Sequence, residues 1–315
     1  MTTINLTKII SKARPNAKEN TIKMYTTNLN KLKKMMDADD YKFLKNTSKV
    51  KEILSDKHFT TQRNYYNSII IYLMAIDSDE KIIEKYNELR DGLNKKYIED
   101  NSTGVISEKQ KNNFISLDEL KNMIKSIGDD LQLTKLKKKE TLSPTEKRLL
   151  QVYIILQILI RIPMRNDLSG MEKISKKQYN KLTDAEKKDK NFLLIEKTAM
   201  KFVLNDYKTS KKYKEKVIDV PKDLEKIIRM YLRKNGDQVV LFTTGGGEPL
   251  SRNALSQLLI KTSKKYLNKS ISTTMIRKII ATELLGDVKK AEEELSNKMG
   301  TDVDTIKSVY VKDIS

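Results

Sequence analysis

Residues 144–161, PTEKRLLQVYIILQILIR, constrain the fold more than any other stretch of the chain. Ser143-Pro-Thr-Glu146 forms a capping box with proline at the first helical position, so a helix is predicted to start there. Its apolar residues are too dense for a surface helix. No apolar run in the chain reaches the ~20 residues that a bilayer-spanning helix needs. The segment therefore belongs in the middle of a soluble core, and the rest of the chain has to supply its cover.

Other elements follow from periodicity. Residues 21–36 place Ile22, Tyr25, Leu29, Leu32 and Met36 on one helical face. A second helix is predicted over 60–76, with threonines at its start available as caps, and further helices near 47–55 and 79–98. These make residues 1–105 a small helical bundle. Residues 99–114 are polar, contain Gly104 and have no apolar period, so 106–114 reads as a linker to a domain spanning 115–315. That domain opens on a second capping box, Ser116-Leu-Asp-Glu119. Phe192–Glu196, Lys201–Asp206 and Lys216–Val220 read as short strands. Helices are predicted again near 221–235, 251–268, 272–286, 288–299 and 302–312. The lysine-rich segments 134–147 and 176–190 read as exposed loops. The expected fold class is mainly α with a small β-sheet: a helical first domain and an α+β second domain.

Charge points to a polyanion. The chain has 62 Lys+Arg against 42 Asp+Glu, a formal net charge of +20. Both parts are basic, with 19 basic against 14 acidic side chains in residues 1–105 and 43 against 28 in the remainder. A lysine-rich solvated surface is the plain alternative. The chain has no cysteine and one histidine, His58, which excludes disulfides, thiol nucleophiles and Cys/His zinc sites. His58 reads as a surface loop residue. The N-terminus has no signal-peptide h-region, so an intracellular protein is expected. Gly245–Gly247 is not a P-loop, because no Gly-Lys-Ser/Thr follows; it reads as a flexible turn.

Four segments of the second part carry chemistry. Ile162-Pro-Met-Arg165-Asn-Asp-Leu168 follows the apolar helix. Asp206-Tyr-Lys208-Thr209 occupies the turn between two strands, ahead of a strand ending at Pro221. Thr274-Met-Ile-Arg277-Lys278 lies on a helix, and Met299-Gly300-Thr301 precedes Tyr310 by nine residues. In this order they resemble the boxes of the tyrosine recombinase (phage integrase) family. Within that family the chain resembles the lysine-rich, divergent integrases of virophages and large DNA viruses. The helical bundle resembles the family's core-binding domain, residues 115–315 its catalytic domain, and Leu241-Phe242 through Ser251-Arg-Asn253 the strand, turn and helix before the third box.

The resemblance implies a cofactor-free reaction on double-stranded DNA. Tyr310 attacks the scissile phosphate and forms a covalent 3′-phosphotyrosine. Arg165 and Arg277 hold the non-bridging oxygens bidentately, which suits guanidinium better than ammonium. Lys208 donates a proton to the leaving 5′-oxygen, with Lys211 and Lys212 in the same turn as substitutes. The two usual imidazole positions are Thr274 and Thr301, which are poor proton acceptors. Lys278 is a substitute cation beside Arg277. Further DNA contacts are expected from Arg63, Tyr65, Lys211, Lys212, Arg252, Asn253 and Lys278, with core packing an equal reading of Tyr65. The family also implies a homotetramer on synapsed DNA, an accessory DNA-bending protein, no metal and no membrane. It implies a location in the host nucleus, cytoplasm or a viral factory. A type IB topoisomerase shares the chemistry, though it usually has lysine where this chain has Thr274. A DNA-binding protein that has lost catalysis would explain the two threonines.

Overall fold

The computed structural model describes residues 5–102, 106–236 and 238–310. The chain divides between Ile106 and Ser107 into two compact units.

The first unit is helical: α1 (Leu6–Ala13), α2 (Glu19–Met35), α3 (Thr47–Leu54), α4 (Phe59–Ala75) and α5 (Glu80–Ser102). The helix α4 is its centre, burying Tyr65, Tyr66, Ser68 and Ile69 to Leu73. Its cap is His58, not a threonine: the imidazole Nδ1 accepts from the Thr60 backbone N–H and lies 2.9 Å from the Thr60 hydroxyl. The single histidine thus terminates a helix. Tyr86 is fully buried, and its hydroxyl donates to the Leu44 carbonyl at 2.8 Å, satisfying the one polar atom it brings inside.

The second unit begins with α6 (Glu108–Lys111), α7 (Leu117–Asp130), α8 (Leu133–Lys138) and α9 (Pro144–Arg161). Residues 107–113 are hydrogen-bonded into this unit. Lys269 Nζ donates to the Asn112 carbonyl at 2.7 Å, and the Ser270 N–H donates to Asn113 Oδ1 at 2.5 Å. Residues 103–105, inside the stretch read as a linker, lie outside the described residues. Both capping boxes form as expected, at Ser116/Glu119 and Ser143/Glu146. Helix α9 buries Leu150 to Val152, Ile154 to Leu156, Ile158 and Leu159, which places it inside the core as its composition requires.

A four-stranded sheet follows, in the order β1 (Glu172–Ser175), β2 (Asn191–Ile195), β3 (Met200–Leu204), β4 (Lys216–Asp219). Strand β1 runs parallel to β2, and the other pairs are antiparallel. The last three are the strands expected from sequence; β1 has no apolar alternation and is recruited by pairing. Between β1 and β2 stand α10 (Lys176–Tyr179) and α11 (Asp184–Lys187), each with its own capping box, where an exposed loop was expected. Their role is cover. Leu193, Phe202 and Leu204 face the main core, whereas Phe192, Leu194 and Val203 pack with Tyr179 on the opposite face. A strand buried on both faces needs a continuous apolar run, and Phe192-Leu-Leu-Ile195 supplies it.

After α12 (Ser210–Tyr213) come α13 (Lys222–Asn235), α14 (Arg252–Leu267), α15 (Thr273–Met299) and α16 (Val303–Thr305), then a π-helical turn over Ile306–Tyr310. The two helices expected over 272–299 are one continuous helix, α15. Its first turns are buried, but Leu284, Leu285, Val288 and Leu295 are exposed. The last two residues of the helix expected over 302–312 lie outside the described residues.

Candidate phosphate-handling site

Helix α9 ends at Arg161, and Met164, 7% exposed, pins the chain before Arg165. A 3-10 turn over Asn166–Leu168 then presents Arg165 to solvent while burying Asp167 and Leu168. Arg277 lies on the second turn of α15, where its Nε donates to the Pro163 carbonyl at 3.1 Å. That bond brings the first and third boxes together. Burial lowers the pKa of Arg277, the charge of nearby Arg165 lowers it further, and the Asp167 carboxylate opposes both. Two guanidiniums on neighbouring turns thus repel one another, an arrangement that an anion relieves.

A buried polar network fixes the turns that carry them. Asn191 opens β2 and is 5% exposed. Its Nδ2 donates to the carbonyls of Asp167 at 2.9 Å and Asp206 at 3.0 Å. Its Oδ1 accepts from the backbone N–H groups of Asn205 at 3.0 Å and Asp206 at 2.9 Å. One amide therefore ties the Arg165 turn to the Lys208 turn. Asn166 makes the complementary link: Nδ2 donates to Ser256 Oγ at 2.9 Å on α14, and Oδ1 accepts from the Thr273 hydroxyl at 2.7 Å on α15. Arg252 Nη2 donates to Asp206 Oδ2 at 2.8 Å and lies 4.0 Å from Asp167 Oδ1. Sequence reasoning passed over Asn191, Asn166 and Thr273. A polar residue at the mouth of the Phe192–Ile195 run was the available signal for Asn191.

Asp167 Oδ2 accepts from the Arg165 backbone N–H at 3.2 Å, but its buried Oδ1 has no hydrogen-bond partner. Burial raises its pKa, outweighing Arg252, the Arg165 N–H and the Arg165 charge.

The remaining expected residues divide. Lys208 and Thr274 are exposed, Lys208 in the turn after β3 and Thr274 on the first turn of α15. Asn253 is exposed on the first turn of α14. Lys212 lies over the Tyr213 ring, 5.1 Å from its centroid, and Lys211 is exposed beside it. Lys278 Nζ donates to Gln110 Oε1 at 2.7 Å, so it is directed at α6 and does not stand in for an imidazole beside Arg277. Arg252 is held in its ion pair instead of standing free for a ligand. In the first unit, Arg63 stacks over Tyr97 at 4.3 Å, and Tyr65 is 7% exposed within the core. For Tyr65 the packing reading holds.

Tyr310 is 58% exposed. Gly300, at φ +64°, closes α15, the Thr301 N–H donates to the Ser296 carbonyl at 3.2 Å, and Ile306 is buried. Lys307 pairs with Glu292 at 2.9 Å, fifteen residues beyond Arg277 on α15. At 1.5 Å per residue, that anchor lies about 22 Å along the helix from Arg277. Among the described residues, no hydrogen bond or ion pair joins Tyr310 or Thr301 to Arg165, Lys208 or Arg277. The structure brings Arg277 to the Arg165 turn and anchors the Tyr310 segment further along α15.

The chain is similar to solved site-specific recombinases. A XerH site-specific recombinase bound to palindromic difH substrate, in a post-cleavage complex, is 15% identical, with 98% of this chain and 80% of that one covered at a TM-score of 0.49. A XerH complex with difH before cleavage is 14% identical, covering 90% and 74%, at a TM-score of 0.44. XerA recombinase is 15% identical, covering 89% and 83%, at a TM-score of 0.35. The sequence matches no family model, and no curated protein matches it.

Among the described residues no group of three or more His, Cys, Asp or Glu side chains could hold a metal ion, and no helix is long and apolar enough to cross a membrane.

Proposed function

We propose that this chain is a site-specific tyrosine recombinase that cleaves and rejoins double-stranded DNA through a covalent 3′-phosphotyrosine at Tyr310, for integration or excision of viral or mobile DNA. The observation that carries the reading is the bond from Arg277 to the Pro163 carbonyl beside the Arg165 turn, which Asn191 ties to the Lys208 turn. Two forked donors, with an exposed lysine on a linked turn, match a phosphodiester whose non-bridging oxygens gain charge as it is attacked. In the reaction the Tyr310 hydroxyl releases its proton to solvent as its oxygen forms a bond to phosphorus and the bond to the 5′-oxygen breaks. Lys208 gives that oxygen its proton, and the reverse attack by a 5′-hydroxyl rejoins a strand. Residues 1–105 act as the core-binding domain and 115–315 as the catalytic domain. The working unit is a homotetramer on synapsed DNA, assisted by an accessory DNA-bending protein.

Nicked suicide duplexes, selected from a random pool by affinity for the protein, test this. The wild-type chain should form a covalent adduct that Tyr310→Phe abolishes. Arg165→Ala and Arg277→Ala should each slow cleavage about 10²–10³-fold, the loss of one transition-state donor. DNA affinity should change little, because most of it comes from many lysine–phosphate contacts. A second reading, a DNA-binding protein without catalysis, is favoured by the distant anchor of the Tyr310 segment and by threonine at both imidazole positions. Tight binding with no adduct would select it.

A further inference from the structure

The glycine turn that fails as a P-loop in sequence faces cations from elsewhere in the fold. It lines a cleft of about 840 Å³ between the N-terminal half of α9, the 243–247 turn and α14. Small-ligand sites fall at roughly 300–1,000 Å³. Gln151 locks one wall, donating to the Thr243 carbonyl at 3.0 Å and accepting from its N–H at 3.1 Å.

Lys147, Arg148 and Lys261 line the cleft, with no carboxylate among its described lining residues. Other cations on and beside α9 are spent: Arg161 pairs with Asp223, and Lys139 with Glu146, whose carboxylate also caps Ser143. Lys147, Arg148 and Lys261 make no ion pair among the described residues. On the rim, a Cβ built on Gly245 would meet nothing within 4 Å, and one on Gly246 only Thr244 at 3.9 Å. The backbone N–H groups of Gly245 and Gly246 donate to no described acceptor, whereas Gly247 closes the turn onto Thr244. Bare amides and three unpaired cations are the donors that a polyphosphate takes. Pro144, Leu250 and Leu258 provide an apolar wall against which a ring can lie.

We propose that this cleft binds a small polyphosphate ligand of the nucleoside di- or triphosphate class. It shares no residue with the Arg165–Arg277 pair, although α14 gives Ala254, Gln257 and Leu258 to the cleft and Ser256 to Asn166, so the proposal does not depend on the recombinase reading. Concavity favours a small molecule over a DNA backbone, which needs an extended track.

Calorimetric titration of the full chain with ATP, tripolyphosphate and adenosine tests the proposal. ATP and tripolyphosphate should saturate one site, and adenosine should bind far more weakly. The double variant Arg148→Glu/Lys261→Glu alters exposed side chains and should retain its melting temperature while losing at least about tenfold in ATP affinity. Arg165→Ala/Arg277→Ala should leave ATP affinity within about twofold, because the two sites share no residue. The proposal is overturned by an absence of saturable ATP binding at millimolar concentration, or by adenosine binding as tightly as ATP. It is also overturned if the arginine pair, and not the charge reversal, abolishes binding, because the anion then occupies the other site. Equal losses of ATP and duplex-DNA affinity in Arg148→Glu/Lys261→Glu would make the cleft part of a DNA track and overturn it too.

Discussion

Asp167 shows how one side chain is made to serve its neighbours at its own cost. Its carboxyl is 5% exposed, with one oxygen on the Arg165 N–H and the other without a hydrogen-bond partner. Burial raises its pKa above the unfolded value, so the folded chain keeps the proton where the unfolded chain has released it. The stability it contributes therefore falls as pH rises from the ordinary carboxylate range through the raised folded value. Asp167→Asn has no such proton to lose. Melting curves from about pH 4 to pH 7 should show the wild-type chain losing ground to the variant as pH increases. A pH-independent difference would mean that Asp167 does not titrate in that window.

At the scale of elements, the candidate site is a set of turns at the ends of well-packed helices and strands. Its geometry depends on the polar residue that joins them. Asn191 uses both ends of its amide on two turns, so Asn191→Ala leaves two carbonyls and two N–H groups without that partner. The expected cost is about 1–3 kcal/mol for a buried group left unsatisfied. Thermal denaturation should detect it, and cleavage should fall alongside. A variant that melts and cleaves like the wild-type chain would remove Asn191 from the positioning role. The sheet supports the same turns from behind. The α10–α11 segment earns its capping boxes by covering Phe192 and Val203 with Tyr179, and α15 carries Arg277 on its buried end while its far end anchors the Tyr310 segment.

At the scale of the whole molecule, the net charge of +20 is distributed over both units. Phosphates neutralised by lysine release counterions, so duplex binding should weaken steeply with salt. A footprint of six to ten phosphates loses about 10³–10⁵ in affinity between 50 and 200 mM salt. Fluorescence anisotropy across that range measures the slope. A flat response would leave the lysines as a solvated surface and remove the case for a polyanionic partner.

The sequence by itself determined the local elements: the buried helix α9, both capping boxes, strands β2 to β4, and Arg165 and Arg277 as cations of interest. Those features are written in residues three or four apart, or in alternation along one strand, and need no knowledge of the rest of the chain. Tertiary structure decided what long-range pairing decides. It recruited β1, turned the 176–190 loop into cover, buried Tyr65 and spent Arg252 on Asp206. It chose Thr273 for the bond to Asn166, while Thr274 faces solvent. It also set Lys147, Arg148 and Lys261 around a glycine turn that sequence alone reads as a flexible connection. A polar side chain's role depends on which partner the fold brings to within 3 Å, and no local period encodes that partner.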